Sequence, residues 1–285
     1  MNGRGFLLRE SVAQPTDRFK ECHCSTIVEL QNGDLLVGYY SGAGEARPDA
    51  AYVVTRRRAE ADGFDPLEVV ADTDGKPEGN GILFTTGEKV RLVYNTMHGK
   101  LDGPPGPGVR WRTCDLRMKT ADDLGKSWSV VEMLDEKWGN VVRCKPIRLK
   151  SGELLFGTEY EGGESRIWSS GDESESWEMV GRIPGEKNQH PALFEREDGS
   201  ILALLRPAGG QGKILRSHSV DGGRSWSDAE FTDLNSPFAA IDAVRLTDGR
   251  VILAWNNSTT KERDPLTLAI SEDDGESWAC RRDLA

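Results

Sequence analysis

No stretch of this 285-residue sequence approaches the roughly 20 consecutive apolar residues that a membrane-spanning helix needs, which excludes a helix crossing a bilayer. The segment from Met1 to Glu10 has only Phe6-Leu7-Leu8 as an apolar run, too short for the hydrophobic centre of a secretory signal. As the chain is written it is expected in the cytoplasm, and secreted or periplasmic if residues precede Met1. A basic excess is also missing. There are 36 Lys and Arg against 47 Asp and Glu, a net charge of −11. A phosphate backbone needs a concentrated basic surface, so nucleic acid is not an expected partner. The one basic run, Arg56-Arg57-Arg58, is short and reads as a solvated strand end. An acidic protein of this kind takes an anionic sugar only through a local cationic pocket.

Cysteine is sparse: five residues, irregularly spaced, with no C-x-x-C pair. A structural zinc site is therefore not expected, and the thiols read as reduced and partly buried. Cys22-His23-Cys24 has the residue types of a metal cluster, but strand alternation places the two thiols on the face opposite His23. No metal and no cofactor is implied. Helical periodicity is absent as well. In its place, 32 Gly and 13 Pro recur at turn intervals, the mark of an all-β chain.

What the sequence does have is a repeat. Ser271 to Trp278 and Ser219 to Trp226 both read S-x-D-x-G-x-S-W. Ser170 to Trp177 has Ser174 in place of the Gly, and Ala121 to Trp128 has Ala121 in place of the first Ser. The Asp positions are 123, 172, 221 and 273, spaced by 49, 49 and 52 residues. A carboxylate at that position accepts hydrogen bonds from backbone amides of its own loop, the Gly permits a positive φ, and the Trp packs back between sheets. The box is thus a structural staple. Out of phase with it runs a second signal, a Gly turn between alternating strands, at Asn32-Gly33, Thr86-Gly87, Ser151-Gly152, Asp198-Gly199 and Asp248-Gly249. Strand, tight turn, strand, followed by a third strand, the box and a fourth strand, is the pattern of one propeller blade. Five blades are expected, near residues 22–70, 81–134, 141–183, 190–233 and 239–285, in one domain over 1–285. The stretch Leu7 to Ala13 supplies an extra closing strand.

With these boxes and with Cys22 to Leu30, Asn32 to Leu36, Glu45 to Asp49, Asn188 to Arg206, Ile241 to Asn256 and Arg263 to Leu266, the chain resembles the sialidase-like, BNR-repeat family of β-propellers. That resemblance implies a six-bladed ring whose sixth blade is missing after Trp278, and a site at the pseudo-axis on the face opposite the boxes. It further implies glycan processing, with a glycan or acidic sugar as partner. Sialidases of the superfamily hold a substrate carboxylate with three arginines, use an Asp as acid/base, and attack with a Tyr paired to a Glu. Carried over, the second arginine falls on Arg206 and the third on Arg263, while the first falls where His23 stands. The acid/base region falls on Asp49 with Glu45 beside it. The Glu falls near Gln189-His190, and the Tyr belongs to the absent sixth blade.

The residues themselves add weight to some positions. Arg206 ends an apolar strand and needs an anionic partner there. Asp242, between Ile241 and Ala243, faces the axis by alternation. Gln189, Asn256 and Glu159 complete the substrate-binding set, and His98 and His218 read as surface residues. His23, Asp49 and Glu45 form the expected catalytic set. The resulting expectation is a glycoside hydrolase acting on an acidic sugar at the axis. A carbohydrate-binding propeller without catalysis, a uronate lyase using His23 as base with Arg206, and a protein-binding scaffold remain the alternatives.

Overall fold

The computed structural model describes residues 10–12, 16–99, 111–209 and 212–284. The closing strand expected over Leu7 to Ala13 lies largely outside them. The named elements are all strands, in five antiparallel sheets that are the blades of a β-propeller. Blade 1 holds β1 (Glu21–Glu29), β2 (Leu35–Gly42), β3 (Ala51–Arg57) and β4 (Glu68–Ala71). Blade 2 holds β5 (Glu78–Thr86), β6 (Lys89–Met97), β7 (Cys114–Ala121) and β8 (Glu132–Asp135). Blade 3 holds β9 (Asn140–Val142), β10 (Ile147–Arg148), β11 (Leu154–Tyr160), β12 (Glu164–Ser170) and β13 (Glu178–Ile183). Blade 4 holds β14 (Asn188–Glu195), β15 (Ile201–Pro207), β16 (Lys213–Ser219) and β17 (Glu230–Asn235). Blade 5 holds β18 (Asp242–Arg245), β19 (Val251–Asn256), β20 (Leu266–Ser271) and β21 (Cys280–Asp283). Two compact units contain them, residues 1–97 with 118–131, and residues 98–117 with 132–285.

The first hairpin of four blades is closed by one turn used four times. The amides of Leu30, Leu149, Arg196 and Leu246 donate to the carbonyls of Asp34, Glu153, Ser200 and Arg250 at 2.8, 2.8, 2.7 and 2.7 Å. Gly33, Gly152, Gly199 and Gly249 carry the positive φ, from 82° to 93°, that such a turn requires. A common turn fixes a common register. Tyr40, Glu159, Arg206 and Asn256 therefore occupy the same position, near the end of the second strand of their blades.

The first strands are less regular than alternation implies. The ladder slips between His23 and Thr26 in β1, between Glu78 and Gly81 in β5, and between Gln189 and Ala192 in β14. Each slip is a β-bulge, and two of them hold a non-glycine residue in the left-handed region, Cys24 and His190, both at φ 50°. Alternation thus stops at Cys24, which the sequence reading of Cys22-His23-Cys24 did not foresee. Blade 3 goes further. Arg143, Cys144, Lys145 and Pro146 part its first strand into β9 and β10, so that sheet has five strands where four were expected.

The continuous apolar run Ile201 to Leu205 has a packing reason. Ile201, Ala203 and Leu205 pack with Leu155, Ile167 and Trp226 against blade 3, while Leu202 and Leu204 pack with Leu253, Trp255 and Trp278 against blade 5. A strand buried on both faces has no polar face to show. β21, the outer strand of blade 5, is exposed throughout. Of the Arg56 to Arg58 run, Arg58 is a solvated end as expected, while Arg56 and Arg57 are half-buried. Arg56 pairs with Asp34 at 3.0 Å, Arg57 with Glu10 at 3.2 Å and Arg58 with Asp65 at 3.3 Å.

The boxes seat one blade on the one before it. The Asp221 carboxylate accepts from the amides of Arg224 and Ser225, at 3.1 and 2.8 Å, and from the Ser225 hydroxyl at 2.5 Å. Asp172 and Asp273 hold Ser176 and Ser277 in the same way. These donors favour the charged form, and Asp172 and Asp221 titrate at about 2. Two successive residues then turn left-handed, Gly222 and Gly223 in blade 4, Asp274 and Gly275 in blade 5. A Cβ on Gly275 would lie 2.6 Å from Phe194 and 2.8 Å from Leu202.

Gly275→Ala is expected to lower the unfolding free energy by about 2–4 kcal/mol, from left-handed strain plus overpacking. Gly249→Ala is its control. Gly249 has φ 90° but nothing within 4 Å of the added carbon, so about 1 kcal/mol is expected there. Equal losses in urea denaturation would show that the box glycine does not seat the blade.

Candidate functional site

Within the second unit, the ends of the first and second strands of blades 3 to 5 gather the charged side chains. Glu159, near the end of β11, is almost fully buried. Its Oε2 lies 2.8 Å from Nε2 of His190. His190 is 7% exposed and sits in the bulge of β14. The neighbouring Gln189 pairs in the ladder with Arg206. A Cβ on Gly162 would meet Glu159 Oε1 at 3.8 Å and Gln189 Nε2 at 3.9 Å, so both side chains face Gly162.

The bulge is what brings His190 here. With regular alternation Gln189 and His190 would face opposite sides of the sheet. The left-handed turn at His190 breaks that rule. Cys144, in the insertion of blade 3, fixes the same segment: its thiol donates to the Ile241 carbonyl at 3.4 Å and lies 3.8 Å from the His190 carbonyl.

Burial holds the His190 imidazole below its ordinary pKa, and the Arg206 and Arg143 cations push the same way, against the Glu159 hydrogen bond. The ring is therefore neutral near pH 7. A carboxylate only accepts, so Nε2 carries the ring proton toward Glu159, and Nδ1 is left as an acceptor. Nδ1 of His190 and Oε1 of Gln189 are both buried and have no hydrogen-bond donor among the described residues. Two unsatisfied acceptors beside a carboxylate are places for N–H or O–H groups, from an ordered water or from a guest.

Asp242, the first residue of β18, keeps part of its surface exposed, yet it is crowded enough that desolvation raises its carboxyl above the ordinary range. Arg143 and Lys145 oppose that rise. Arg206 lies flat on Phe238, its guanidinium carbon 3.7 Å from the ring centre, and Arg263 reaches the Phe238 carbonyl at 3.5 Å. Phe238 thus ties together the two arginines singled out from the sequence. Asn256 holds the loop that carries Arg263, donating to the carbonyls of Arg263 at 2.8 Å and Pro265 at 3.2 Å. The structure therefore brings Glu159, Gln189, Arg206 and Asp242 around His190 and Cys144, with Arg263 and Asn256 joined through the Phe238 loop.

The other three expected residues belong to the first unit. His23 stacks on Tyr40, ring centres 5.0 Å apart, and its Nε2 is 3.3 Å from Glu21 Oε2. Asp49 caps its own loop, accepting from the Ala43 amide at 3.0 Å. Glu45 is exposed in that loop. Arg143, Cys144 and Phe238 carried no signal in sequence. His190 carried one, its place beside Gln189, but the bulge that aims it did not show. Among the described residues no three His, Cys, Asp or Glu side chains come together as a metal site requires.

His190 makes stability pH-dependent. Its folded pKa lies below the ordinary 6.5, so between the two values the unfolded chain binds the extra proton. Acidification from 6.5 downward is expected to destabilise the protein, by at most about 1.4 kcal/mol per pH unit for one proton. His190→Gln keeps a donor for Glu159 and should flatten that part of the thermal-midpoint profile. An unchanged slope would mean that His190 is not buried neutral.

The model of the BNR repeat-like domain matches residues 33–285. A sialidase of Bacteroides fragilis is 24% identical over 191 residues, which cover 60% of this chain and 35% of that protein. The match thus takes in about a third of that relative's length. Among solved structures, the NanB sialidase of Streptococcus pneumoniae shares the fold with a TM-score of 0.78 at 14% identity, over 97% of this chain and 63% of that one. A protein of unknown function from Dyadobacter fermentans gives 0.76 at 15% identity, over 95% and 84%.

Proposed function

Because the chain belongs to the BNR repeat-like domain family, we propose that it processes glycans as a sialidase-like glycoside hydrolase, taking an acidic sugar at the strand ends of blades 3 to 5. The observation that carries this reading is the cluster around His190. In a chain of net charge −11, Arg143, Lys145 and Arg206 stand beside a buried carboxylate–imidazole pair and a carboxyl with a raised pKa, and Arg263 shares Phe238 with Arg206. Permanently charged, forked donors suit a sugar carboxylate. His190 Nδ1 and Gln189 Oε1 accept from sugar hydroxyl or amide hydrogens. Perturbed titration in such a cluster is the signature of a site that does chemistry.

In this mechanism the Arg206 guanidinium, laid flat by Phe238, holds the carboxylate. Asp242, whose carboxyl desolvation pushes above its ordinary range, is the proton donor of this reading. It gives its proton to the glycosidic oxygen as the bond from that oxygen to the anomeric carbon breaks. Water adds to the anomeric carbon, and its proton restores the Asp242 carboxyl. The family resemblance gives the proton-donor role to Asp49, with Glu45 beside it, and puts His23 where the first arginine stands. The two assignments differ in which variant fails.

The test is turnover of a panel of fluorogenic sialosides, uronides and neutral glycosides. Cleavage of an acidic member is expected, with Arg206→Met losing about 10- to 100-fold in kcat/KM, the worth of one or two charge-assisted hydrogen bonds. Asp242→Asn should abolish turnover while Asp49→Asn retains it; the reverse would move the acid to Asp49. Cleavage of neutral glycosides alone would overturn the acidic-sugar reading. Binding without turnover of any member would leave a lectin-like propeller in place of an enzyme.

A further inference from the structure

Trp138 is the one exposed tryptophan among the described residues, with 42% of its surface open. It is nonetheless rigidly held. The Asp135 carboxylate accepts from the Lys137 amide at 3.0 Å and from Asn140 Nδ2 at 2.9 Å. The Gly139 amide donates to the Cys114 carbonyl at 3.0 Å, and the Gly139 carbonyl accepts from the Glu161 amide at 3.2 Å. Gly139 has φ 105°, so this turn needs a glycine.

The indole is also backed on one side. It stacks on the His98 imidazole, ring centres 5.6 Å apart and planes 21° from parallel. His98, expected at the surface, is in fact pinned. Its Nε2 lies 2.6 Å from Asp115 Oδ2, and Arg117 grips both oxygens of Asp115 through Nε and Nη2 at 2.9 Å. The Asp115 side chain is almost fully buried. An ion pair thus fixes an imidazole, and the imidazole fixes an indole that faces outward.

A pre-ordered indole offers a flat apolar surface that loses little freedom on binding. The residues just before it, Glu136 and Lys137, are exposed and charged. An apolar protein segment would want a contiguous apolar patch. A pyranose ring wants one flat face for its C–H bonds and polar groups at the edge, which is what stands here. The position is also telling. Val141 pairs with Glu159 and Asn140 with Tyr160 in the ladder, and a Cβ on Gly139 would meet the Tyr160 ring at 3.2 Å. Three residues of chain, from Trp138 to Val141, reach at most about 11 Å. Trp138 stands within an oligosaccharide's reach of the Glu159–His190 pair, in the same unit.

We propose that Trp138, backed by His98, is a second sugar subsite, stacking a pyranose ring of a glycan whose acidic sugar lies against Arg206 and His190. This rests on the glycan site proposed above, and it makes the ligand an oligosaccharide chain rather than a free monosaccharide. Calorimetric titration with sialyllactose and trigalacturonate, against N-acetylneuraminic acid and galacturonic acid, tests it. One oligosaccharide is expected to bind about 10-fold tighter than its own monosaccharide, the worth of one ring stack. Trp138→Ala should erase that advantage while leaving the monosaccharide affinity and the thermal midpoint unchanged, and Trp138→Phe should restore part of it. If an oligosaccharide binds wild type and Trp138→Ala equally, or no tighter than its monosaccharide, the subsite is overturned and the acidic-sugar site stands. If none of the four probes binds wild type, both fall together.

Discussion

The structure depends on a carboxylate that holds a left-handed turn against the blade before it. In each Asp box the acid gathers backbone amides and a serine hydroxyl, and the chain can then pass through two left-handed residues without a Cβ where none fits. Gly223 lies within 3.0 Å of Leu155 by that measure, and Gly275 within 2.6 Å of Phe194. The tryptophan that follows, Trp226 or Trp278, fills the joint between the sheets. Blade 3 tolerates Ser174 in place of glycine at φ 71°, with the Trp177 indole N–H donating to its hydroxyl at 3.0 Å. Seating blades in this way fixes where the opposite ends of their inner strands come out, and those ends carry the side chains of the candidate site.

The site is where the regular pattern is broken. A propeller built only of alternating strands and shared turns would present Glu159, Arg206 and Asn256 at one register and bury the rest. The bulge at Gln189-His190 and the insertion at Arg143 to Pro146 add an imidazole, a thiol and a guanidinium to that row. Holding a non-glycine residue at positive φ costs about 1–3 kcal/mol, and so does leaving a buried acceptor without a donor. Both occur at His190, beside a buried carboxylate. Departures of that kind concentrate at functional sites. The surplus of acid over base across the chain makes the local cations of Arg143, Lys145, Arg206 and Arg263 the more distinctive.

Much of this was legible in the residues. The four boxes and the recurring Gly turns fix an all-β propeller and its five sheets, because each reports a local conformation that only a few residues can adopt. Counting from the turns places Glu159, Arg206 and Asn256 at one register. The environment of those side chains was not legible. Alternation fails at a bulge, and nothing in Asn188-Gln189-His190-Pro191 announces which residue turns left-handed. Arg56 and Arg57 read as solvated because their partners, Asp34 and Glu10, are remote in sequence. His98 read as surface for the same reason, since its support comes from Asp115 and Arg117, 17 and 19 residues further along the chain.

A complex with an acidic monosaccharide tests the central claim most directly, that the cationic strand ends of blades 3 to 5 hold a sugar carboxylate. The crystal structure with N-acetylneuraminic acid or galacturonic acid is predicted to place the carboxylate against the Arg206 guanidinium, with sugar hydroxyl or amide hydrogens on His190 Nδ1 and Gln189 Oε1. A sugar bound with its carboxylate in solvent, away from the Arg206 guanidinium, would contradict the account.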